Sequence, residues 1–136
     1  YVVDHLNHRV QKFDPVGNWV SQWGIAGNGN EQFGNPVALG TDPAGNVYVV
    51  DNGNSRMQKF DGNGNYLTQW GGFGNGKGQF NFPYGVAVDA KGSVFVVDSG
   101  NTRVEQFMPA DEGSERLQED AETVAEIENA KGTSQT

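Results

Sequence analysis

The chain of 136 residues has no cysteine and only two histidines. Without cysteine, disulfide bonds and thiolate metal sites are excluded, and the redox compartment cannot be inferred. No apolar run approaches the roughly 18 residues of a membrane helix, so we expect no membrane association. No signal peptide or initiator Met is visible. Because Tyr1 falls where the later repeats are already inside a strand, we interpret the N-terminus as cut.

Basic residues are scarce where a nucleic-acid surface would need them. Residues 1–108 carry nine acidic and seven basic side chains, whereas residues 109–136 carry eight acidic and two basic ones. The net charge of −8 therefore belongs mainly to the end of the chain. RNA binding through phosphate contacts requires a basic face, so this distribution argues against nucleic acid as a partner.

Glycine, in contrast, is abundant at 20 residues, and it often stands next to asparagine. Both residues reach positive φ at low cost and are typical of tight turns. Short clusters of Val, Tyr, Phe and Trp lie between these turns and favour strands. The composition therefore predicts an all-β protein.

The chain repeats itself every 47 residues. Residues 1–24 and 48–71 are identical at 15 of 24 positions, and the strand sequence Tyr48–Asp51 returns as Phe95–Asp98. A fixed period of this size indicates a modular array, in which each unit needs its neighbours to bury its apolar face.

Each repeat shows four strand signals followed by a longer Gly-rich connection, which is the plan of a four-stranded antiparallel β-propeller blade. The chain then holds a partial blade at residues 1–24, a full blade at residues 36–71 and a partial blade at residues 83–108. These ten strands make an incomplete propeller. Aromatic residues of the outermost strands are expected to pack between blades: Trp19, Trp23, Tyr66 and Trp70.

Residues 109–136 differ from the repeats in composition and form an acidic tail in this interpretation. Residues 115–131 are rich in Glu, Ala and Gln and favour a helix, for which Ser114 is a suitable N-cap. The alternatives are a solvated or disordered tail and a helix that docks on a partner.

The repeated phrase resembles the NHL repeat, and the resemblance covers residues 1–107. The middle copy shows the pattern from Gln32-Phe33 to Phe60. The residues that support the resemblance in the last copy are Gly78-Gln79-Phe80, Pro83, Asp89, Gly92, Val94-Phe95-Val96-Val97-Asp98, Asn101, Arg103 and Phe107.

This resemblance implies blades of a six-bladed propeller and a non-enzymatic scaffold for protein–protein interaction or self-assembly. Some relatives bind RNA, and related propellers are lyases or lactonases with channel metal ions, so an RNA-binding domain and a fragment of a propeller enzyme are the alternatives. Six blades need roughly 280 residues at this period. The chain is thus a fragment of a longer propeller or an assembling unit, and three copies with two blades each would give a homotrimer. Similarity to prokaryotic NHL proteins favours a secreted or cell-surface location.

One set of polar residues recurs identically in every blade, which is typical of a structural role. The pattern Asp-x-x-Asn-x-Arg crosses the turn between the second and third strands, where Asp accepts hydrogen bonds from turn amides and from Arg. An anion-binding ring of arginines is the alternative. The proposed structural network comprises Asp4, Asn7, Arg9, Asp51, Asn54, Arg56, Asp98, Asn101 and Arg103.

Function in repeat proteins concentrates where the copies differ, on the loops of one face. The predicted partner contacts are therefore His5, Leu6, His8, Ile25, Glu31, Phe73 and Lys77. Two histidines are too few for a zinc site, which usually takes three or four protein ligands, so no metal is expected. The sequence shows no assembled catalytic constellation and no cofactor motif.

Overall fold

The computed structural model describes residues 1–109. Except for Pro109, the acidic tail predicted for residues 109–136, with its helix around residues 115–131, lies outside the described residues. Residues 1–109 form three antiparallel sheets, one short parallel pair of strands and no α-helix, which confirms the all-β class. Three of the sheets are blades that follow one another along the chain. In this part of the protein no helix has the length and apolar character needed to cross a membrane.

The first blade has three strands, each paired antiparallel with the next along the chain. These strands are β1 (Val2–Asp4), β2 (Arg9–Phe13) and β3 (Trp19–Trp23). In the connection that follows, two very short strands pair in parallel: β4 (Ile25–Ala26) and β5 (Gln32–Phe33). The sequence predicted only a Gly-rich connection here, whereas the parallel pair folds the connection back on itself.

The middle blade has all four strands in the order in which they occur in the chain. They are β6 (Pro36–Thr41), β7 (Val47–Asp51), β8 (Arg56–Phe60) and β9 (Tyr66–Gly71). Every residue of β7 is buried, because this strand lies inside its sheet and the blade has a neighbour on each side. Its continuous apolar run is typical of a strand that is covered on both faces.

The last blade contains the first three strand positions of the repeat. Its strands are β10 (Pro83–Val88), β11 (Val94–Asp98) and β12 (Arg103–Phe107). A bulge between Pro83 and Gly85 in β10 repeats the bulge between Pro36 and Ala38 in β6. The two blades therefore share one register, and corresponding residues can be compared directly.

The hairpin turns are held by aspartates that precede a positive-φ glycine. The Oδ1 atom of Asp61 accepts the backbone N–H groups of Asn63 and Asn65 at 2.8 and 3.0 Å, and Gly64 follows with φ +86°. Hydrogen bonds from Asn65, and then from Asn63, lower the pKa of the Asp61 carboxyl. The turn therefore favours the ionised aspartate.

The hydrophobic core lies between blades rather than inside one. Alternate residues of β7 face opposite neighbours, because successive side chains of a strand point to opposite faces. Between the first and middle blades the buried cluster is Val10, Phe33, Val47, Val49 and Phe60. Between the middle and last blades it is Tyr48, Val50, Met57, Phe80, Val94, Val96 and Phe107.

The tryptophans at the ends of the outermost strands close these clusters. The ring centroid of Trp23 lies 5.5 Å from that of Phe60, and Trp70 lies 5.5 Å from Phe107. Both therefore pack between blades. Trp19 is equivalent to Tyr66, which packs against Phe60, and it is 56% exposed on the side of the first blade that faces away from the middle blade.

Candidate binding site

The recurring Asp-x-x-Asn-x-Arg residues meet at the turn after the second strand of each blade. In the middle blade, the Oδ2 atom of Asp51 accepts hydrogen bonds from Asn54 at 2.8 Å and from Arg56 Nε at 3.1 Å. The Oδ1 atom accepts the backbone N–H groups of Gly34 and Asn35. Asp51, which is fully buried, thus joins the turn to the segment that leads into β6.

Arg56 holds the connection that arrives from the preceding blade. Besides its bond to Asp51, its guanidinium donates to the side chain of Gln69 at 3.1 Å. The three main-chain carbonyls that accept its remaining hydrogen bonds belong to Asn28, Gly29 and Gln32, at 2.9, 2.9 and 2.7 Å. An arginine has five N–H donors, so Arg56 has none left for an anion. This geometry argues against the anion-ring alternative at the middle blade.

The side chain of Gln58 contacts the main chain of the same connection. Its Nε2 donates to the Gln32 carbonyl at 2.7 Å, and its Oε1 accepts the Glu31 N–H at 3.1 Å. Because strand residues two apart share a face, Gln58 lies beside Arg56. The sequence analysis did not select Gln58. Gln11 occupies the equivalent position 47 residues earlier, and this repetition was the available indication that the residue has a role in the blade.

The last blade repeats this arrangement with one substitution, because Glu105 stands where the middle blade has Gln58. Its Oε1 accepts the Gly78 N–H at 2.9 Å and its Oε2 accepts a bond from Arg103 at 3.2 Å. Burial raises the pKa of Glu105, although the contacts with Gly78 and Arg103 act in the opposite direction. Arg103 also donates to Asp98 at 2.9 Å. The main-chain carbonyls that it contacts are those of Asn75, Gly76 and Gln79.

The first blade carries the same side chains without a connection on top of them. Arg9 donates from Nε to Asp4 at 2.7 Å and from Nη1 to Gln22 at 3.1 Å, and among residues 1–109 no main-chain carbonyl accepts from it. Gln11 turns inward toward Asp4, at 3.4 Å. Hydrogen bonds from Arg9 and then Asn7 lower the pKa of Asp4. The set that is buried in the middle blade is therefore partly exposed here.

The three variable residues at the turn of the first blade have different environments. The Nδ1 atom of His5 lies 3.2 Å from the Pro36 carbonyl, so His5 bridges to the middle blade, as Asn52 does with Pro83 at 2.9 Å. Leu6 is 81% exposed. His8 has a left-handed backbone with φ 55°, and its Nδ1 is buried without a hydrogen-bond partner among the described residues. No group of three or more metal-ligating side chains occurs in the part of the chain that the structure describes.

The four variable residues of the long connections all lie at the surface. Ile25 and Phe73 are 63% and 74% exposed, and Glu31 and Lys77 are exposed as well. The backbone N–H of Glu31 is used within the chain, by Gln58, while its side chain faces outward. Their role as partner contacts stays a prediction.

Comparison with known proteins relates this architecture to one repeat family. Residues 33–60 and 80–107 match the family model described as the NHL repeat. A search of curated proteins gives no match. Each matched segment spans the first three strands of a blade and contains its Asp-x-x-Asn-x-Arg residues.

Solved structures show the same fold at low sequence identity. A structural genomics protein of unknown function from Bacteroides thetaiotaomicron VPI-5482 matches 76% of the chain, with 20% identity and a TM-score of 0.59. A streptogramin B lyase matches 79% of the chain, with 9% identity and a TM-score of 0.53. The chain spans 30% and 36% of the lengths of these two proteins. At these identities the likeness concerns the fold alone.

Proposed function

The chain carries NHL repeats on propeller-type blades, and from this we propose that it is a protein-binding module that acts through its two open blade faces, which are the faces that nothing within residues 1–109 covers. The N-terminal face is the side of the first blade that faces away from the middle blade. The C-terminal face is the corresponding outer side of the last blade. In the absence of another partner, copies of the chain associate through these faces.

The observation that supports the proposal is the exposure of residues whose equivalents are buried between blades. On the N-terminal face, Val2 and Phe13 are 49% and 38% exposed, whereas the equivalent Val49 and Phe60 are completely buried. The repeat thus places on this face the same apolar side chains that the middle blade covers with its neighbour.

The C-terminal face shows the same contrast. Val97 and Val104 are 44% and 61% exposed, whereas their equivalents Val50 and Met57 are completely buried. Tyr84 adds a further aromatic side chain that is 56% exposed. Contiguous exposed apolar residues of this kind mark interaction surfaces.

The two faces are the two halves of one repeated interface. A contact between the N-terminal face of one copy and the C-terminal face of another is heterologous and closes into a ring only when the rotation permits. The homotrimer predicted from two blades per chain is one such ring. Because the described chain occupies three blade positions, a ring of two copies is another, and a mass measurement distinguishes them.

Surface plasmon resonance with the chain both immobilised and in solution tests this function. We expect the substitution Val104→Asp to weaken the interaction at least about tenfold, because burial of a valine side chain contributes about 1.5–3 kcal/mol. Val16→Asp is the matched control, since Val16 is 83% exposed in a hairpin turn and should not change binding. Equal binding by wild type and Val104→Asp, with unchanged circular dichroism, would show that the C-terminal face is not used.

The lyase or lactonase alternative and the RNA-binding alternative gain no support from particular residues. The likeness to a streptogramin B lyase, at 9% identity, concerns the fold and not the activity. Both alternatives therefore stay expectations from the sequence.

A further inference from the structure

Glu105 distinguishes the hydrogen-bond network of the last blade from that of the middle blade, where Gln58 stands at the equivalent position. We propose that Glu105 is a proton-sensitive switch for the connection at residues 71–82. The protonated carboxyl holds this connection firmly, and the ionised carboxylate holds it loosely. The proposal concerns a connection and not the open blade faces, so its test is independent of the function proposed above.

The first argument is that Gln58 shows what a neutral side chain does at this position. Its Nε2 donates to the Gln32 carbonyl at 2.7 Å, and its Oε1 accepts the Glu31 N–H at 3.1 Å. A side chain that both donates and accepts therefore binds two main-chain groups of the connection that lies on the middle blade.

The second argument is that an ionised Glu105 can only accept. Its Oε1 accepts the Gly78 N–H at 2.9 Å, which is the counterpart of the bond between Gln58 and Glu31. Its Oε2 has no proton to donate to the connection and accepts from Nη2 of Arg103 at 3.2 Å instead. The ionised form thus lacks one of the two main-chain bonds that the middle blade makes.

The third argument is a competition for the donors of Arg103. Its Nη2 carries two N–H groups, but it faces three acceptors. These are the Gly76 and Gln79 carbonyls, both at 2.9 Å, and Oε2 of Glu105 at 3.2 Å. The equivalent atom of Arg56 donates to two loop carbonyls and to no carboxylate. The ionised Glu105 therefore takes donor capacity away from the connection.

Protonation removes this competition. A proton taken up from solvent on Oε2 turns this oxygen into a donor, and the O–H can donate to the Gln79 carbonyl as Gln58 donates to Gln32. Glutamate and glutamine side chains have the same length, so the geometry of the middle blade applies. Both N–H groups of Arg103 Nη2 then stay with the two loop carbonyls. The protonated last blade thus reproduces the network of the middle blade.

The surroundings of Glu105 favour the protonated form while the connection is in place. The side chain is 13% exposed, and this burial raises the pKa of the carboxyl, as does the negative charge of Asp98 at the end of β11. The Gly78 N–H and the Arg103 guanidinium lower the pKa, and Lys77 is an exposed cation on the connection itself.

The sign of the pH effect follows from this burial. Gly78 lies against the carboxyl, so release of the connection exposes Glu105 and returns its pKa toward the ordinary value of 4.5. Because the pKa is higher with the connection in place, protonation stabilises the held form. This stabilisation is present at low pH and is lost as pH rises above 4.5 and through the raised value.

The switch acts on a segment that is anchored at one end. Phe80 is completely buried in the cluster between the middle and last blades, with its ring 5.8 Å from that of Phe107. The residues before it carry exposed side chains, among them the predicted partner contacts Phe73 and Lys77. A change in how firmly residues 71–79 are held therefore changes the surface that these two residues present.

Amide hydrogen exchange of the full chain, followed by NMR from about pH 7 to about pH 4, tests the switch. The Gly74 N–H donates to the Phe80 carbonyl at 3.0 Å, and the equivalent bond from Gly27 to Phe33 measures 3.1 Å. We expect the protection of Gly74, corrected for the intrinsic exchange rate, to rise at least about threefold relative to Gly27 as pH falls. Gly27 is the internal control, because Gln58 does not titrate.

Reciprocal substitutions assign the effect to this position. Glu105→Gln should make the protection of Gly74 independent of pH, at the level that wild type reaches at low pH. Gln58→Glu should transfer the pH dependence to Gly27. The matched charge change Glu31→Gln, at an exposed side chain, should alter neither amide. If Gln58→Glu does not fold, Glu105→Gln alone decides the result.

Three outcomes would overturn the proposal. The first is a ratio of Gly74 to Gly27 protection that stays constant across the pH range in wild type. The second is a pH dependence that persists in Glu105→Gln, which would assign it to another group. The third is a loss of Gly74 protection as pH falls, because this is opposite in sign to the expected effect.

Discussion

At the scale of the residue, the equivalent arginines of different blades have different environments. Arg56 is 8% exposed and pairs with the fully buried Asp51, whereas the side chain of Arg9 is 31% exposed beside Asp4. A buried carboxylate that loses its partner costs far more than a solvated one, because water cannot replace the lost bonds. The position of the blade in the array therefore decides what the residue contributes to stability.

Substitution of the two arginines measures this difference. We expect Arg56→Ala to lower the free energy of unfolding by about 3–5 kcal/mol and Arg9→Ala to lower it by no more than about 1 kcal/mol. Urea unfolding followed by tryptophan fluorescence gives both values. Similar losses at the two positions would contradict the structural role of the network at Arg56.

At the scale of the element, the strands follow from local patterns and the connections do not. The apolar run of β7 and the turn residues around it predict that strand directly. The two-residue strands β4 and β5 are too short to show any period, so no pattern indicates their parallel pairing. The role of Gln58 depends on the connection from the preceding blade, which lies over its side chain. The residue of this connection that Gln58 binds, Gln32, is 26 residues earlier in the sequence. Sequence alone thus predicts the blades but not how each connection is held.

Glu105 allows the connection to the last blade to be tested. Its pKa is raised by burial, so the protonated form favours folding, and this contribution is lost as pH rises above the ordinary pKa of 4.5 and through the raised value. Glu105→Gln restores the residue of the middle blade, whose amide donates to a loop carbonyl. We expect this variant to be more stable than wild type at pH 7 by about 1 kcal/mol, with the gain shrinking toward pH 4. A gain that is independent of pH, or a loss at pH 7, in thermal unfolding would contradict this expectation.

At the scale of the whole molecule, the repeat determines both the core and the surfaces that no other part of residues 1–109 covers. Each internal interface covers apolar side chains from two blades, and the same positions stand exposed at both ends of the array. An array of repeats is stabilised by its nearest-neighbour interfaces, so an uncovered face retains the potential to bind. At the turn of the first blade, Arg9 stands at a position that is the same in all three blades, whereas Leu6 replaces the glycine of the other two.

The measurement that tests the central claim most directly is the mass of the wild-type chain in solution by light scattering across a range of concentrations. One chain has a mass of 14.7 kDa. If the open faces bind polypeptide surfaces of their own kind, the average mass rises above this value as concentration increases, toward two or three chains per particle. A mass of 14.7 kDa at every concentration up to about 500 μM would contradict association through the open faces.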